Sequence, residues 1–460
     1  MSKFMNNQNS MNRRQFLKGA AITGTAFSFP AIIPSSALGH DGHTAPSERI
    51  VMGCIGLGGQ GTYNMQAFMN QPDVQIVALC DVNSGSDDYD MLYQFQGSQS
   101  AGLLPAKKRL DDYYAEQTGA ADHMGCATFH DFRELLARPD IDAVTVCTPD
   151  HWHGLVSIAA AKAGKDIYCE KPLTNTIAEG RAVCDAVGRY KRILQTGSHE
   201  RSNHSVRFAV ELIRNGRIGK LHTIRVNMPL DNDVEIPPQP VLPVPKGLDY
   251  DFWLGPTPAV PFTKKRTHFW WRYQLEYGGG EMTDRGAHII DLAQLALDMD
   301  NSGPVEISAS GRAPRNGLFN TFVDYTFQCT YTNGVKLYGN TNTPRGIKFE
   351  GDKGSIFIYI HGGRLEANPA SLLTDKILPG EITIGRSPGH HRDFLEAVKI
   401  RRQPMATAEI GHRTGTICHL LNIAMQTGLK LQWDPVTEHI TNSPEADKMI
   451  KRPMRAPWHL

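Results

Sequence analysis

The chain lacks any run of about twenty apolar residues of the kind that crosses a bilayer, and it lacks an excess of either charge. Its 460 residues carry 48 Lys and Arg against 47 Asp and Glu, and no segment is rich in Lys and Arg. That balance leaves no electrostatic footprint for nucleic acid. There is no internal repeat and no clustering of Gly or Pro, so a solenoid, a fibrous chain and a disordered chain are all excluded. Cysteine is sparse: eight residues, none in Cys-x-x-Cys spacing. Cys54, Cys80, Cys147 and Cys169 lie at the ends of apolar runs, so the thiols read as core residues rather than a disulfide framework. The length calls for two domains.

Acidic residues are also missing before Asp41. In their place stands Asn12-Arg13-Arg14-Gln15-Phe16-Leu17-Lys18, then a mildly apolar stretch from Gly19 to Ile33, then Pro34-Ser35-Ser36-Ala37. This pattern reads as a twin-arginine export signal over residues 1–37, with a small-residue cleavage site after Ala37. Its removal leaves 44 basic and 47 acidic side chains, a net charge of −3. The expectation is a periplasmic protein with no membrane span, delivered folded by the twin-arginine export machinery.

Short Val- and Ile-rich runs follow at Ile50–Ile55, Val74–Cys80, Ala143–Cys147, Asp166–Cys169 and Ile193–Thr196. Continuous apolar runs of this length suit strands buried on both faces. Helical patterns alternate with them at Thr62–Asn70, Phe132–Ala137, Gly154–Ala163 and Ile177–Tyr190, interrupted over 82–125 by an insertion with a helix from Pro105 to Gln117. Strand alternating with helix predicts an α/β fold, a doubly wound parallel sheet over 48–201. From 202 to 435 the pattern changes to successive alternating strands, with an Asn333-Gly334 hairpin turn and helices at His391–Arg401 and Glu409–Leu429. An α+β domain with an open-faced, mostly antiparallel sheet is expected there. Residues 436–460 read as an extended tail.

Gly56-Leu57-Gly58-Gly59-Gln60-Gly61 leaves the first strand and opens a helix. Glycines at these positions permit the tight turn and let backbone N–H groups approach a pyrophosphate. Asp81 ends the next strand, placed for the ribose hydroxyls, and its charge favours NAD over NADP. Thr148-Pro149-Asp150-His151-Trp152-His153 and Cys169-Glu170-Lys171-Pro172-Leu173 leave later strands on the same sheet edge. One histidine of the first segment is expected at a helix cap against cofactor, with Trp152 packing. No metal is assigned, because His-x-His finds no third ligand at useful spacing. Asp284 and His288 follow a glycine run, Gly278 to Gly280, and their spacing sets them one helical turn apart. A carboxylate and an imidazole so placed can hold a sugar hydroxyl and take its proton. Trp271 and Arg272, within His268-Phe269-Trp270-Trp271-Arg272-Tyr273, either stack on and bind a sugar or form the core of a long loop. Arg201 and His204, beyond the last Rossmann strand, are further candidates for substrate contact.

In their order and spacing these segments resemble the glucose–fructose oxidoreductase, inositol dehydrogenase and rhizopine catabolism family (Gfo/Idh/MocA). Phe252-Trp253-Leu254-Gly255-Pro256 and Glu409-Ile410-Gly411-His412-Arg413 look like its exported branch. The resemblance implies NAD bound by Gly56, Gly58, Gly59, Gln60, Gly61, Asp81, Thr148, Pro149, His153, Glu170 and Lys171. It implies a catalytic group of Lys171, Asp284 and His288 with His288 as acid/base, substrates among sugars, glycosides and cyclitols, and a homo-oligomer, dimer or tetramer. Because free NAD is scarce in the periplasm, an exported member is expected to hold its cofactor tightly and restore it in place. The intact Glu170-Lys171-Pro172 favours net oxidoreduction. An NAD-dependent glycoside hydrolase working through a 3-keto sugar is the alternative, ahead of a non-catalytic sugar-binding protein.

Overall fold

Six short strands build one parallel sheet, because their side chains are buried on both faces and need helices above and below. In the computed structural model, which describes residues 44–89, 100–118, 125–230 and 236–460, these are β1 (Ile50–Ile55), β2 (Val74–Cys80), β3 (Ala127–Phe129), β4 (Ala143–Val146), β5 (Asp166–Cys169) and β6 (Leu194–Thr196). The twin-arginine signal expected over 1–37 lies outside the described residues. The strand order is β3-β2-β1-β4-β5-β6, all neighbours parallel. In this doubly wound order the chain leaves β1 and β4 toward opposite sides, and the ends of those two strands open a crevice. Strand β3 escapes the sequence pattern because it has only three residues, none of them fully buried.

The covering helices are α1 (Gly59–Met69), α2 (Leu103–Thr118), α3 (Phe132–Leu136), α4 (Asp150–Lys162) and α5 (Ile177–Arg189). Helix α4 starts four residues before the expected Gly154, with Pro149 as its cap, so Asp150 to His153 form its first turn. Proline suits that place, since it has no N–H to leave unpaired. All eight cysteines are unpaired and six are fully buried.

The second half begins with α6 (His204–Arg214), capped by Asn203, whose side chain accepts from the backbone N–H groups of Ser205 and Val206. Nine strands then form a second sheet in the order β13-β12-β11-β7-β10-β9-β8-β14-β15. They are β7 (Leu221–Met228), β8 (Glu306–Arg312), β9 (Asp324–Thr330), β10 (Lys336–Thr341), β11 (Gly346–Gly351), β12 (Ser355–Tyr359), β13 (Leu365–Asn368), β14 (Leu431–Asp434) and β15 (His439–Ile440). Every pair but β7–β10 is antiparallel. The β9–β10 hairpin turns at Asn333-Gly334, with Gly334 at φ 84°. Burial alternates along the strands, so Ile224, Val226, Met228, Tyr325, Phe327 and Cys329 face a core. That core also takes residues of α6, α7 (Gly286–Leu297) and α9 (Ala408–Thr427).

Two features cross the linear domain boundaries. Helix α8 (His390–Ile400) sends Phe394, Leu395, Ala397 and Val398 into the Rossmann core rather than the second one. The tail is not a plain extended arm. It pairs through β15, coils at Pro444–Asp447, and returns to the Rossmann half of its own chain. There Arg452 pairs with Glu179 at 2.6 Å and the Trp458 ring lies 4.7 Å from that of Trp152.

Arg201 is not the substrate residue expected of it. The segment after β6 coils into a 3-10 turn, His199–Ser202, and Arg201 is buried against α7. Its guanidinium contacts Asp291 at 2.8 Å and Asp300 at 2.7 Å. His204 is exposed at the start of α6, away from the cleft described below. Removing one partner of a buried ion pair strands the other charge, which costs about 3–5 kcal/mol. Arg201→Ala is therefore expected to lose stability on that scale in a denaturant titration. A loss below about 1 kcal/mol, typical of an exposed pair, would contradict the assignment.

Candidate active site

The carboxyl ends of the parallel strands and one edge of the second half enclose a cleft of about 1000 Å³. Gly56, Gly58, Gly59, Gln60, Asp81, Thr148, Pro149, His153, Glu170, Lys171, Trp271, Arg272, Asp284 and His288, all singled out from sequence, line it together. Gly61 lies just behind, where a Cβ would sit 1.9 Å from the Gly56 carbonyl oxygen.

The glycine end has the shape of a dinucleotide cradle. Gly56 sits at φ 83°, in the left-handed region that glycine tolerates, and a Cβ on it would meet the backbone of Cys147 and Thr148 at 2.6 Å. Helix α1 is capped by Gly58 with no side-chain hydrogen bond to its first turn, so its amide groups are available as an anion seat where Gly58, Gly59 and Gln60 line the cleft. The Thr148 hydroxyl beside it is buried without a protein partner. At the end of β2, Asp81 accepts from the backbone N–H of Leu57 at 2.6 Å and of Asn83 at 2.8 Å. Burial raises its carboxyl to about 6, against those hydrogen bonds, which lower it. The residues present therefore fit a nicotinamide dinucleotide, with phosphates at the α1 terminus and ribose hydroxyls at Asp81.

Neighbouring loops are locked to one another. The His153 ring nitrogens lie 2.8 Å from the Pro172 and Thr148 carbonyl oxygens, tying the loops after β4 and β5 together. His151 turns elsewhere, 2.9 Å from the Trp253 carbonyl, and burial takes its pKa down to about 3. Trp152 stacks on Phe252 at 5.4 Å. Glu170 accepts from the Asn64 side chain at 2.8 Å, which anchors the loop carrying Lys171. The Lys171–Pro172 bond is cis.

Lys171 reaches across the cleft to the second half. Its ammonium donates to the carboxylate of Asp284 and, at 3.1 Å, to the Asp284 backbone carbonyl. That second bond explains a departure from the expected continuous helix. The helical turn Glu281–Asp284 ends there, α7 restarts at Gly286, and the His288 N–H bonds back to Arg285 at 3.1 Å. Arg285 donates to Asp284 at 2.7 Å and the Arg272 Nε lies 3.6 Å from it. Burial opposes ionisation of Asp284, yet the cations of Lys171, Arg285 and Arg272 outweigh it and hold the carboxyl well below the usual carboxylate range. His288 is held neutral: burial first, then its neighbours His199, Lys171 and His361, keep it well below the usual imidazole range. Its Nδ1 is buried without a protein partner.

The glycine run before Asp284 packs on protein. A Cβ at Gly278 would meet Trp271 at 2.9 Å, one at Gly279 would meet Thr283 at 2.3 Å, and one at Gly280 would meet Thr321 at 2.8 Å. Arg272 lies over the Trp271 ring at 4.4 Å, so these two present a flat, cationic wall. Asp150, His199, Glu200 and His361 also line the cleft without having been assigned a role from sequence. Asp150 lay within a noted motif, but its burial depends on residues far along the chain. His361 sits in the β12–β13 turn, and nothing local in the sequence joins it to His199.

Residues 93–198 match the model of the oxidoreductase family NAD-binding Rossmann fold, and residues 233–460 match that of the oxidoreductase family C-terminal alpha/beta domain (GFO_IDH_MocA and its C2 form). Levoglucosan dehydrogenase of Pseudarthrobacter phenanthrenivorans is 31% identical over 200 residues, 43% of this chain and 44% of that protein. An alpha-N-acetylgalactosaminidase of Shewanella oneidensis is 25% identical over 225 residues, 46% of this chain and 44% of that protein. The alignments thus span less than half the length of these relatives. Among solved structures, aldose-aldose oxidoreductase from Caulobacter crescentus complexed with glycerol superposes with a TM-score of 0.57 at 19% identity, covering 84% of this chain and 99% of that one. A levoglucosan dehydrogenase in complex with NADH and levoglucosan gives 0.56 at 19% identity with the same coverage. At these identities the structures establish a shared fold.

Asp81 generates a pH prediction. Its raised folded-state pKa means that the carboxylate needed for ribose binding forms only as pH rises through about 6. Affinity for NAD, measured by calorimetry, is expected to fall as pH drops from 7 to 5, and Asp81→Asn should flatten that profile at a lower affinity. An Asp81→Asn profile parallel to the wild type would contradict the role.

Proposed function

The chain belongs to the Gfo/Idh/MocA oxidoreductase family, and from that premise we propose that it moves hydride between a secondary hydroxyl of a sugar or glycoside and a tightly held NAD. The observation that carries the reading is the convergence of Lys171, Asp284 and a neutral His288 on the cleft that the Gly56–Gly61 loop opens. Bound there, NAD supplies the hydride acceptor and, in the reverse direction, the donor.

His288 takes the hydroxyl proton at a ring nitrogen, which its neutral state leaves free to accept. The Lys171 ammonium donates to the same sugar oxygen as negative charge develops on it. Asp284 is a positioning residue, since its carboxylate and carbonyl together fix where the ammonium points. Trp271 and Arg272 offer an aromatic face and a hydroxyl-binding cation.

The double arginine at Arg13-Arg14 supports export in a folded state, with the cofactor already seated and regenerated without release. Replacing both by lysine is then expected to retain the protein in the cytoplasm on fractionation. Unchanged partition of that variant would sink the export proposal.

A second reading has its own support: the alpha-N-acetylgalactosaminidase named above aligns over nearly half of this chain. In that reading the same groups oxidise the sugar transiently, the aglycone leaves, and the hydride returns. Lasting oxidation of sugar with a dye acceptor supports the first reading, whereas phenol release from an aryl glycoside with no lasting reduced dinucleotide supports the second. In either assay His288→Ala should lower kcat by about 10²–10⁴-fold while dinucleotide content stays as in the wild type. Wild-type turnover in that variant would remove His288 from the mechanism.

A further inference from the structure

At the wall of the cleft beside His288, the 3-10 turn after β6 and the β12–β13 turn bring three side chains together from opposite ends of the fold. They are His199, Glu200 and His361, whose ligand-type atoms all lie within 4.8 Å of one another. The Glu200 carboxylate is 2% exposed, and its Oε1 accepts the backbone N–H of His361 at 2.7 Å, which fixes its direction. The same oxygen lies 3.6 Å from the His199 Nε2 and 3.4 Å from the His361 Nδ1. Those separations are long for imidazole–carboxylate hydrogen bonds. They match the edge of a tetrahedron of nitrogen and oxygen donors around one ion at bonds of about 2.0–2.1 Å, where the donors stand roughly 3.3–3.4 Å apart.

We propose that His199, Glu200 and His361 form a divalent cation site of the zinc class, with its open coordination position facing the sugar end of the cleft. Two imidazoles and one carboxylate are a donor set that zinc takes when it keeps a position for water or substrate. A second observation points the same way. The His288 ring lies 4.6 Å from that of His199 and 5.3 Å from that of His361, and its Nδ1 is buried with no protein partner. A sugar oxygen bound to the ion therefore comes within reach of the proposed base. The ligand there is a hydroxyl or carbonyl oxygen next to the reacting carbon, and the ion polarises it without itself changing oxidation state. This serves the sugar chemistry proposed above, but binding of the ion does not depend on that chemistry.

The test is zinc binding by the purified full chain with its dinucleotide, stripped with chelator and titrated with zinc chloride by calorimetry. Cobalt(II) substitution, read as a visible absorption band, reports the donor set. One equivalent of zinc is expected. The His199→Ala/His361→Ala double variant and Glu200→Gln should each weaken binding about tenfold or more, while dinucleotide content and melting temperature stay at wild-type values. His204→Ala, outside the cluster, should bind as the wild type does. Absence of zinc uptake by the wild type overturns the proposal, as does wild-type affinity in the double variant or in Glu200→Gln. Because dinucleotide content is read in the same samples, a failure of the metal site is distinguishable from a failure of the cleft as a cofactor site.

Discussion

The ion pair between Lys171 and Asp284 is the contact on which the cleft depends. Lys171 stands at the end of β5 in the parallel sheet and Asp284 at the helix break in the second half, and both are largely buried. Asp284 also meets Arg285 and Arg272 within its own half, and Lys171 adds the contact that joins the two halves. Isolated buried pairs often contribute little net stability, because desolvation offsets attraction. Here three cations, Lys171, Arg285 and Arg272, surround one carboxylate. Burial, reinforced by Lys171, keeps His288 neutral, and the surplus positive charge around Asp284 favours an oxyanion at the same spot. One arrangement thus serves both proton removal and stabilisation of the charge that removal creates.

The parallel sheet was legible from sequence because strands buried on both faces leave unbroken Val and Ile runs, and the glycine loop because Gly56 cannot carry a Cβ. Lys171, Asp284 and His288 were visible through family resemblance. Their local patterns alone did not say that Lys171 would cross to Asp284, or that this bond would interrupt the helix at Arg285. Arg285 keeps helical dihedrals through the break, so Asp284 and His288 still line the same cleft, as their i,i+4 spacing predicts.

Other features were hidden for physical reasons. Right after β6, the sequence pointed to Arg201 and His204, whereas the 3-10 turn gives the cleft His199 and Glu200 and buries Arg201 on Asp291. A tight turn rotates successive side chains to different sides, and no periodic pattern records which side is which. His199 and Glu200 meet His361 only through a β-hairpin some 160 residues on, a juxtaposition that no local spacing records. Helix α8 joined the Rossmann core for a similar reason, its apolar face carrying no label for the sheet it will cover.

The most direct test of the account is a single-turnover experiment. The chain loaded with NAD and freed of excess nucleotide is mixed rapidly with sugars and glycosides, with no acceptor present, and the absorbance of reduced nicotinamide is followed. Appearance of reduced dinucleotide with at least one sugar, in an amount no greater than the number of sites and lost in Lys171→Met, is the predicted result. A chain that keeps its NAD bound yet reduces none of it with any sugar in the panel would contradict hydride transfer as its chemistry.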